Sequence, residues 1–304
     1  MRVTLIHNPT AGDEDHSRDH LLSLMRGADY EVVYRTSKED FAGALDDPGD
    51  LVAVAGGDGT VRETAIQILD RRVPIALLPM GTANNIARSL GIRGTTEDLI
   101  AGWATALRKK VTVGVAKSPW GEEHFIEGLG LGLFTKAMSL LDSIDDKAES
   151  EFSTTTDKVY RDLSALMVLL SECAPINLEV SVDGEEVSGS YLLLEAMNMN
   201  FVGPNLHIAP EADPGDEYLD YVFLAEEDRG DFIHYLNQRL EGKEAVPAVT
   251  MKRGRRLLFY WEGSEIHVDD KIWTDGVAAP SSPQLVNVGL EDRFVEFLVP
   301  SGKA

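Results

Sequence analysis

The chain has a single cysteine and lacks any long apolar segment. Cys173 is the one cysteine among 304 residues, which excludes an internal disulfide and suits a reducing compartment. We expect it to be a small buried apolar residue rather than a nucleophile, because its surroundings look amphipathic and no histidine is near. No run approaches the ~20 apolar residues of a membrane span, and the first predicted strand starts at Arg2 without a signal peptide. These features predict a cytoplasmic protein.

Positive charges are scarce: 28 lysines and arginines stand against 51 acidic residues, giving a formal net charge of −23. Anionic lipid headgroups would repel such a surface, and screening over ~8 Å at physiological ionic strength only softens the penalty. The composition is typical of a salt-tolerant source. One basic run, Lys252 to Arg256, has two interpretations: it binds lipid or ATP phosphates, or it is a hairpin edge that its charges protect from aggregation. The seven histidines show no metal-ligand spacing, so we expect no zinc.

Length and periodicity predict two domains. A chain of 304 residues with 43% apolar content can form two cores. From 119 to 289 short alternating strands predominate, interrupted by helical stretches, which favours a β-sandwich. Up to about residue 118 strands and helices alternate, with strands near 2–7, 31–35, 51–55, 74–79 and 111–116 and helices starting near Asp15, Ser37, Thr60, Ala83 and Thr96. The helical stretches of the second half lie near 132–145, 152–173 and 230–242.

The segment LVAVAGGDGT predicts a phosphate site at the end of a buried strand. Its glycines, Gly56, Gly57 and Gly59, allow positive φ and lack the side chains that would keep a polyphosphate from backbone N–H groups. Thr60 then begins a helix, whose N-terminal N–H groups face the anion. Asp58 carries a negative charge among these donors, so we expect it to hold magnesium or to act in catalysis. The alternative is a tight turn with a solvated aspartate.

The segment PIALLPMGTANNIARSLGI repeats this strand, loop and helix. Two such units in succession put both loops at the carboxyl ends of parallel strands, where open α/β sheets bind ligands. We therefore expect Gly81, Thr82 and Asn84 of the second loop to complete the site. Asn8, directly after the first strand, would line it. Each of these residues could instead only shape its loop.

With these motifs the chain resembles the diacylglycerol kinase catalytic-domain family, which includes sphingosine kinases, ceramide kinases and bacterial soluble lipid kinases. NPTAG spans Asn8 to Gly12, GGDGT spans Gly56 to Thr60, and PMGTANNIAR spans Pro79 to Arg88, in the family's order. NAD kinases and phosphofructokinases share only the GGDG-type loop. The GTANNIAR segment is a feature of the lipid kinases.

The resemblance implies two domains of different class. The first is a phosphofructokinase-like three-layer α/β nucleotide domain at 1–118, joined by a C-terminal segment at about 290–304. The second is a β-sandwich domain for the lipid or other substrate at 119–289. The expected fold class is therefore α/β plus all-β.

The resemblance also implies an ATP- and magnesium-dependent kinase that transfers the γ-phosphate of ATP to the hydroxyl of a membrane lipid such as diacylglycerol. Such a protein acts in phospholipid metabolism from the cytoplasm, peripheral at the membrane, with ATP and lipid as partners and no nucleic acid. Three alternatives stay open: a kinase of a soluble alcohol or nucleotide, a nucleotide-binding regulator without a catalytic base, and, for assembly, a homodimer. Asp58 is the expected catalytic residue, and the expected ATP-binding residues are Asn8, Gly56, Gly57, Gly59, Thr60, Gly81, Thr82 and Asn84.

The expected magnesium ligands lie in a segment that departs from the family's pattern. In the family, a segment of the type APxA followed by DDG lies near magnesium, and HIAPEADPGDEYLD matches it here in part. The resemblance implies Asp213, Asp216 and Asp220 as oxygen ligands, with a solvated acidic turn as the alternative. Gly215 replaces the first aspartate of DDG. Asn85 stands where many relatives carry aspartate, which removes a charge from the loop.

The catalytic base departs from the family as well. Lipid kinases of this type carry a DGE segment in the late β-domain, whose glutamate is thought to activate the lipid hydroxyl. This chain offers VDDK and TDGV, and neither has glutamate in third place. Asp58, Asp269, Asp270 or Asp275 would then serve as the base, or the protein is a slow or altered kinase.

Overall fold

The structure is a computed structural model that describes residues 1–12, 17–38, 42–69, 71–145 and 154–301. The chain divides into two compact units. The first comprises Met1–Thr112 and Asp292–Ala304, and the second comprises Val113–Glu291. Within the described residues, none of the helices has the length and apolarity that a membrane crossing needs.

The first unit alternates strands and helices around a parallel sheet. Its strands are β1 (Arg2–His7), β2 (Glu31–Thr36), β3 (Leu51–Gly56) and β4 (Ile75–Pro79). Its helices are α1 (Arg18–Gly27), α2 (Asp58–Gln67), α3 (Asn85–Ser89) and α4 (Thr96–Gly102), with short 3-10 helices at Ala42–Asp46 and Trp103–Thr105. The sheet order is β4-β3-β1-β2, with every neighbouring pair parallel. Phe297 of the C-terminal segment pairs in parallel with Ile75 of β4.

The strand order reverses between β1 and β3, so right-handed crossovers place helices on both faces of the sheet. One face buries Leu5, Ala53 and Leu78 against α1 and α4. On the opposite face Val52 and Val54 are fully buried, where α2 packs against β3. This three-layer arrangement confirms the predicted α/β fold.

Three predicted helices differ from the described structure. Ser37, where one was predicted to start, lies in a turn, and the next described element is the 3-10 helix at Ala42–Asp46. Helix α2 begins at Asp58 rather than Thr60, because Gly57 takes an extended conformation (φ −93°, ψ −175°) and serves as the N-cap. Helix α3 begins at Asn85 rather than Ala83, since Asn84 before it is left-handed (φ 53°). The start predicted near Asp15 lies outside the described residues.

The second unit is rich in antiparallel strands. The chain enters this unit within its first strand and leaves it within its last strand. Its strands are β5 (Leu107–Ser118), β6 (Gly121–Phe125), β7 (Gly128–Gly132), β8 (Ile176–Leu178), β9 (Val180–Val182), β10 (Glu185–Glu186), β11 (Gly189–Met197), β12 (Phe201–Val202), β13 (Leu206–His207), β14 (Leu219–Ala225), β15 (Thr250–Gly254), β16 (Arg256–Trp261), β17 (Ile266–Val268), β18 (Lys271–Ile272) and β19 (Gln284–Val299). Its helices are α5 (Leu133–Asp145), α6 (Thr155–Glu172) and α7 (Arg229–Leu240), with a 3-10 helix at Glu226–Asp228.

Two sheets enclose the core of the second unit. One has the order β15-β14-β11-β7-β17-β18, and the other contains β10-β9-β16-β19. Side chains such as Phe223 and Phe259 fill the space between them. The other face of the first sheet is covered by α5, α6 and α7, with buried residues such as Leu166 and Phe232. The predicted β-sandwich is confirmed, and the helical stretches form a layer on it. Cys173 is buried, as predicted.

Candidate functional site

Three loops meet at the carboxyl edge of the parallel sheet. They follow β1, β3 and β4, and backbone hydrogen bonds join them. The Asn8 N–H donates to the Ala55 carbonyl (2.8 Å), and the Met80 N–H donates to the Gly56 carbonyl (3.0 Å). The loop after β1 reaches Met80 as well, because a Cβ at Gly12 would lie 2.8 Å from the Met80 carbonyl oxygen. The sequence therefore places its glycine motifs in one cluster.

Gly56, Gly57 and Gly81 of this cluster provide space rather than unusual backbone angles. A Cβ added at Gly81 would lie 2.5 Å from the Gly57 Cα, and one added at Gly57 would lie 3.1 Å from the Gly81 Cα. A Cβ at Gly56 would lie 3.0 Å from the Thr60 hydroxyl. Gly56, Gly57 and Gly59 do not use the positive φ that glycine allows, because none of the three lies in that region. Close approach of two backbones is what excludes larger residues.

The N-terminus of α2 supplies hydrogen-bond donors to the cluster. The first backbone hydrogen bond of the helix runs from the Val61 N–H to the Gly57 carbonyl (3.1 Å). The N–H groups of Gly59 and Thr60 precede that bond and belong to the helix end that favours anions. Thr60 is 9% exposed, and its carbonyl accepts a hydrogen bond from the Thr64 hydroxyl (2.8 Å).

Asp58 joins the loop after β3 to the helix after β4. Its Oδ2 accepts the Asn85 N–H and its Oδ1 accepts the Ile86 N–H, both at 3.0 Å. Asn84, the residue at the N-cap position of α3, makes no side-chain capping bond. Asp58 thus provides the cap of α3 from a different loop. A catalytic or metal role for Asp58 stays a prediction.

Two predicted ATP-binding asparagines shape their own loops. Asn84 Oδ1 accepts the Gly81 N–H (2.8 Å), and Asn84 Nδ2 donates to the Gly81 carbonyl (2.6 Å). Asn8 Oδ1 accepts the backbone N–H (3.1 Å) and the hydroxyl (2.8 Å) of Thr10. Thr82 lies inside the loop that Asn84 closes and is partly exposed. These contacts support the loop-shaping alternative for Asn8 and Asn84.

The carboxyl end of β2 adds residues that the sequence analysis missed. Thr36 pairs with His7, the residue just before Asn8. His7 Nδ1 lies 3.0 Å from the Tyr34 hydroxyl, and the Arg18 guanidinium lies 4.7 Å from the centre of the Tyr34 ring. The sequence could have indicated these residues, because β2 is a parallel strand and its carboxyl end lies at the same edge of the sheet.

The predicted magnesium turn in the second unit is held by arginines. Asp216 forms an ion pair with Arg253, and Glu217 forms one with Arg255. The Tyr218 ring lies near both guanidinium groups, with its centre 5.0 Å from Arg253 and 5.2 Å from Arg255. The acidic turn and the basic run therefore neutralise each other.

The three aspartates predicted as magnesium ligands do not converge. Asp213 is exposed, and its Oδ1 accepts the Gly215 N–H (3.0 Å). Asp220 is 7% exposed on β14, and burial raises the pKa of its carboxyl, while Arg253 lowers it. Among the described residues, Asp213, Asp216 and Asp220 are not a group with oxygen atoms within 4.8 Å of one another. A magnesium role for these three aspartates stays a prediction.

The basic run begins on the edge strand of a sheet. Lys252 and Arg253 lie in β15, the first strand in the order of its sheet, and Arg256 begins β16. Besides the two arginine pairs, Lys252 forms an ion pair with Glu185. These contacts favour the interpretation of a charged edge over a patch open to phosphates.

Asp269, in the segment VDDK, is bound by backbone N–H groups. Its Oδ2 accepts the Ile126 N–H (2.9 Å), and its Oδ1 accepts those of Glu127 (2.8 Å) and Gly128 (3.0 Å). The residue is 9% exposed and left-handed (φ 50°). Asp270 beside it is exposed. Asp269 therefore anchors the turn after β17 to the start of β7.

A buried acid and base lie beside this turn. Glu195 Oε1 lies 2.9 Å from His267 Nε2, and their side chains are 0% and 2% exposed. Gly130 on β7 pairs with both residues, and a Cβ there would lie 2.0 Å from Glu195 Oε1. Burial lowers the pKa of His267, but the Glu195 charge and the hydrogen bonds outweigh it, so the pKa of His267 is raised. His267 Nδ1 lies 3.1 Å from the Asp269 carbonyl oxygen.

Two family models match the chain. Residues 2–116 match the diacylglycerol kinase catalytic domain. Residues 142–290 match the YegS C-terminal NAD kinase beta sandwich-like domain. The matched ranges correspond to the α/β unit and to most of the sandwich unit.

Curated relatives and solved structures agree with these models. The chain is 26% identical to a diacylglycerol kinase of Bacillus subtilis (strain 168) over 257 residues, covering 80% of each chain. It is 23% identical to a diacylglycerol kinase of Staphylococcus aureus (strain MRSA252) over 271 residues, covering 84% of this chain and 81% of the relative. A diacylglycerol kinase structure from Bacillus anthracis str. Sterne covers 99% of this chain and 97% of its own, with a TM-score of 0.65 and 18% identity. An NAD kinase from Archaeoglobus fulgidus in complex with ATP covers 99% and 94%, with a TM-score of 0.52 and 11% identity.

Proposed function

Because the chain belongs to the diacylglycerol kinase family, we propose that it is a lipid kinase that transfers the γ-phosphate of ATP to the hydroxyl of a membrane lipid such as diacylglycerol. The first unit would bind ATP and the second would bind the lipid. We further propose that it acts as a peripheral enzyme at the cytoplasmic face of a membrane.

The observation that carries this proposal is the side-chain-free contact between Gly57 and Gly81 at the N-terminus of α2. Phosphate oxygens need several N–H donors within hydrogen-bond reach, and a helix end behind a glycine loop offers them. With only 2.5 Å between the Gly57 Cα and a Cβ placed on Gly81, the two backbones are already as close as glycine allows. Donors of both loops can then approach one polyphosphate.

Asp58 would act mainly by holding this cradle in shape. Its two bonds to the Asn85 and Ile86 N–H groups fix α3 against the loop after β3. Magnesium, entering with ATP, would neutralise the charge that develops on the transferred phosphoryl group. Asn8 and Asn84 would keep their loops closed while Gly56, Gly59, Thr60 and Thr82 line the phosphates.

A nucleotide-binding regulator is the second candidate. Both Asp58 and Asp269 accept two or more backbone hydrogen bonds, so neither is arranged as a simple proton acceptor. Hydrogen bonds to the charged form of a carboxylate favour that form and weaken it as a base. A chain with this arrangement would bind ATP and turn it over slowly or not at all.

Transfer of labelled γ-phosphate from magnesium ATP tests the proposal. The lipid acceptors are diacylglycerol, sphingoid bases and a whole lipid extract in mixed micelles, and soluble alcohols and nucleotides are assayed beside them. Each acceptor is tested at low and high salt because of the net charge of −23. A labelled lipid supports the kinase and identifies its acceptor class. ATP binding by calorimetry without any labelled lipid supports the regulator instead. Label on a soluble alcohol or nucleotide, with none on lipid, contradicts the lipid as acceptor and leaves the kinase activity supported.

A further inference from the structure

Two carboxylates and one imidazole meet in the second unit. Glu122 and His124 lie on β6, two residues apart and therefore on one face of the strand. Glu291 lies on β19, and β5 pairs with both β6 and β19. His124 Nε2 lies 3.2 Å from Glu291 Oε1 and 3.6 Å from Glu122 Oε1. All three ligand atoms lie within 4.8 Å of one another.

These distances suit a shared metal ion better than two hydrogen bonds. A nitrogen and an oxygen that each lie about 2.0–2.1 Å from a tetrahedral zinc ion are about 3.3 Å apart. The two nitrogen–oxygen distances, 3.2 and 3.6 Å, lie on either side of that value. Good N–H···O hydrogen bonds centre at about 2.9–3.0 Å, and 3.6 Å is too long for one.

We propose that Glu122, His124 and Glu291 bind a divalent transition-metal ion, for which zinc is the best match. An imidazole with two carboxylates selects zinc and its neighbours over magnesium and calcium, which prefer all-oxygen sites. Three protein ligands leave room for water as a fourth. The strongly acidic chain also attracts divalent cations to its surface.

The surroundings of the three side chains support the ligand geometry. His124 and Glu291 are 21% and 14% exposed, so the sheet restrains them, while Glu122 is 42% exposed and provides the open side. Glu122 uses its other oxygen, Oε2, in an ion pair with Lys117 Nζ (3.0 Å). That contact turns Oε1 toward His124.

The site would tie the β5–β6 hairpin to β19. Its ligands come from distant parts of the sequence, so metal binding would favour the folded second unit over the unfolded chain. The histidine spacing could not reveal it, because the second acid that approaches His124 lies on a strand near the C-terminus. An imidazole that contacts the two glutamates without any metal ion is the competing account, and it predicts no metal affinity.

Zinc titration of the metal-free protein, followed by calorimetry and by competition with a chromogenic chelator, tests the proposal. We expect one zinc ion per chain, a rise in melting temperature with zinc, and at least about tenfold weaker binding in His124→Ala and in Glu291→Gln. His234→Ala and Glu262→Gln, which change exposed residues elsewhere, serve as matched controls and should bind zinc like the wild type.

Cobalt supplies a readout that depends on the ligands themselves. Co²⁺ in a site of four or five ligands with one imidazole gives intense visible bands, which should be present in the wild type and absent in Glu291→Gln. Circular dichroism confirms that each variant is folded before titration. Absence of zinc binding at micromolar concentrations, or equal binding by the wild type, His124→Ala and Glu291→Gln, overturns the proposal.

Discussion

Glu195 and His267 form an ion pair across Gly130, with 2.9 Å between Oε1 and Nε2 and almost no solvent exposure of either side chain. Among the described residues, Glu195 Oε2 has no hydrogen-bond partner. A buried carboxylate in this position needs the imidazolium to balance it, and removing one partner of such a pair costs about 3–5 kcal/mol.

The pair predicts a pH dependence of stability. The pKa of His267 is raised by folding, so its contribution is complete below the unfolded pKa of about 6.5 and is lost as the pH rises through the higher folded pKa. Urea unfolding of the wild type should therefore show a free energy that falls above neutral pH. His267→Gln should be less stable at pH 6 and lack that slope. If the free energy of unfolding depends on pH equally in the wild type and in His267→Gln, the prediction is contradicted. His234→Gln, which changes an exposed histidine, is the control.

Asp58→Asn should weaken ATP binding by at least about tenfold, because a neutral amide has one acceptor oxygen for the two N–H groups of α3. Each lost charge-assisted hydrogen bond is worth about 1.5–3 kcal/mol. Calorimetry with ATP measures the binding, and labelled phosphate transfer measures the rate. Binding and transfer at wild-type levels would remove Asp58 from the proposed site.

Gly81→Ala should destabilise the protein by about 1–3 kcal/mol, since the new methyl group meets the Gly57 Cα. Gly102→Ala is the matched control, because Gly102 ends α4 and an added Cβ there meets nothing within 4 Å. The control should be neutral or more stable by up to about 1 kcal/mol. Urea midpoints and ATP affinity are measured together, and equal behaviour of both variants argues against the close contact.

Asp216→Asn should leave the magnesium requirement of phosphate transfer unchanged, within about twofold. Asp216 is the partner of Arg253, and a partly exposed pair of this kind contributes about 0–1 kcal/mol to stability. The measurement is transfer rate against magnesium concentration, with Asp213→Asn alongside. A rise of tenfold or more in the magnesium concentration that gives half-maximal activity would support the aspartates as magnesium ligands.

Strand positions in the first unit were predictable, most directly for β3 and β4, which are apolar runs that end at Gly56 and Pro79. The predicted start of α2 was wrong by two residues, because its N-cap is a glycine and has no capping side chain that the sequence could show. The glycine motifs located the loops correctly, yet the reason for Gly57 and Gly81 is a contact between two loops that periodicity does not encode.

Side-chain partners in the second unit could not be read from the sequence. In the sequence, the acidic turn before β14 resembles a metal site. In the structure, β15 pairs with β14 and places Arg253 opposite Asp220. Likewise, Glu195 and His267 come together only through the order β11-β7-β17. Pairing of strands distant in sequence decides both cases.

The bonds from Asp58 to α3 would affect how the proposed site binds nucleotide. Since that carboxylate bonds to the start of α3 and Gly57 lies against Gly81, the fold joins the two loops before any ligand binds. A ligand then meets a surface whose entropy of ordering was lost during folding rather than at the encounter. Differences in affinity among nucleotides should consequently appear in dissociation rates, with association rates nearly constant.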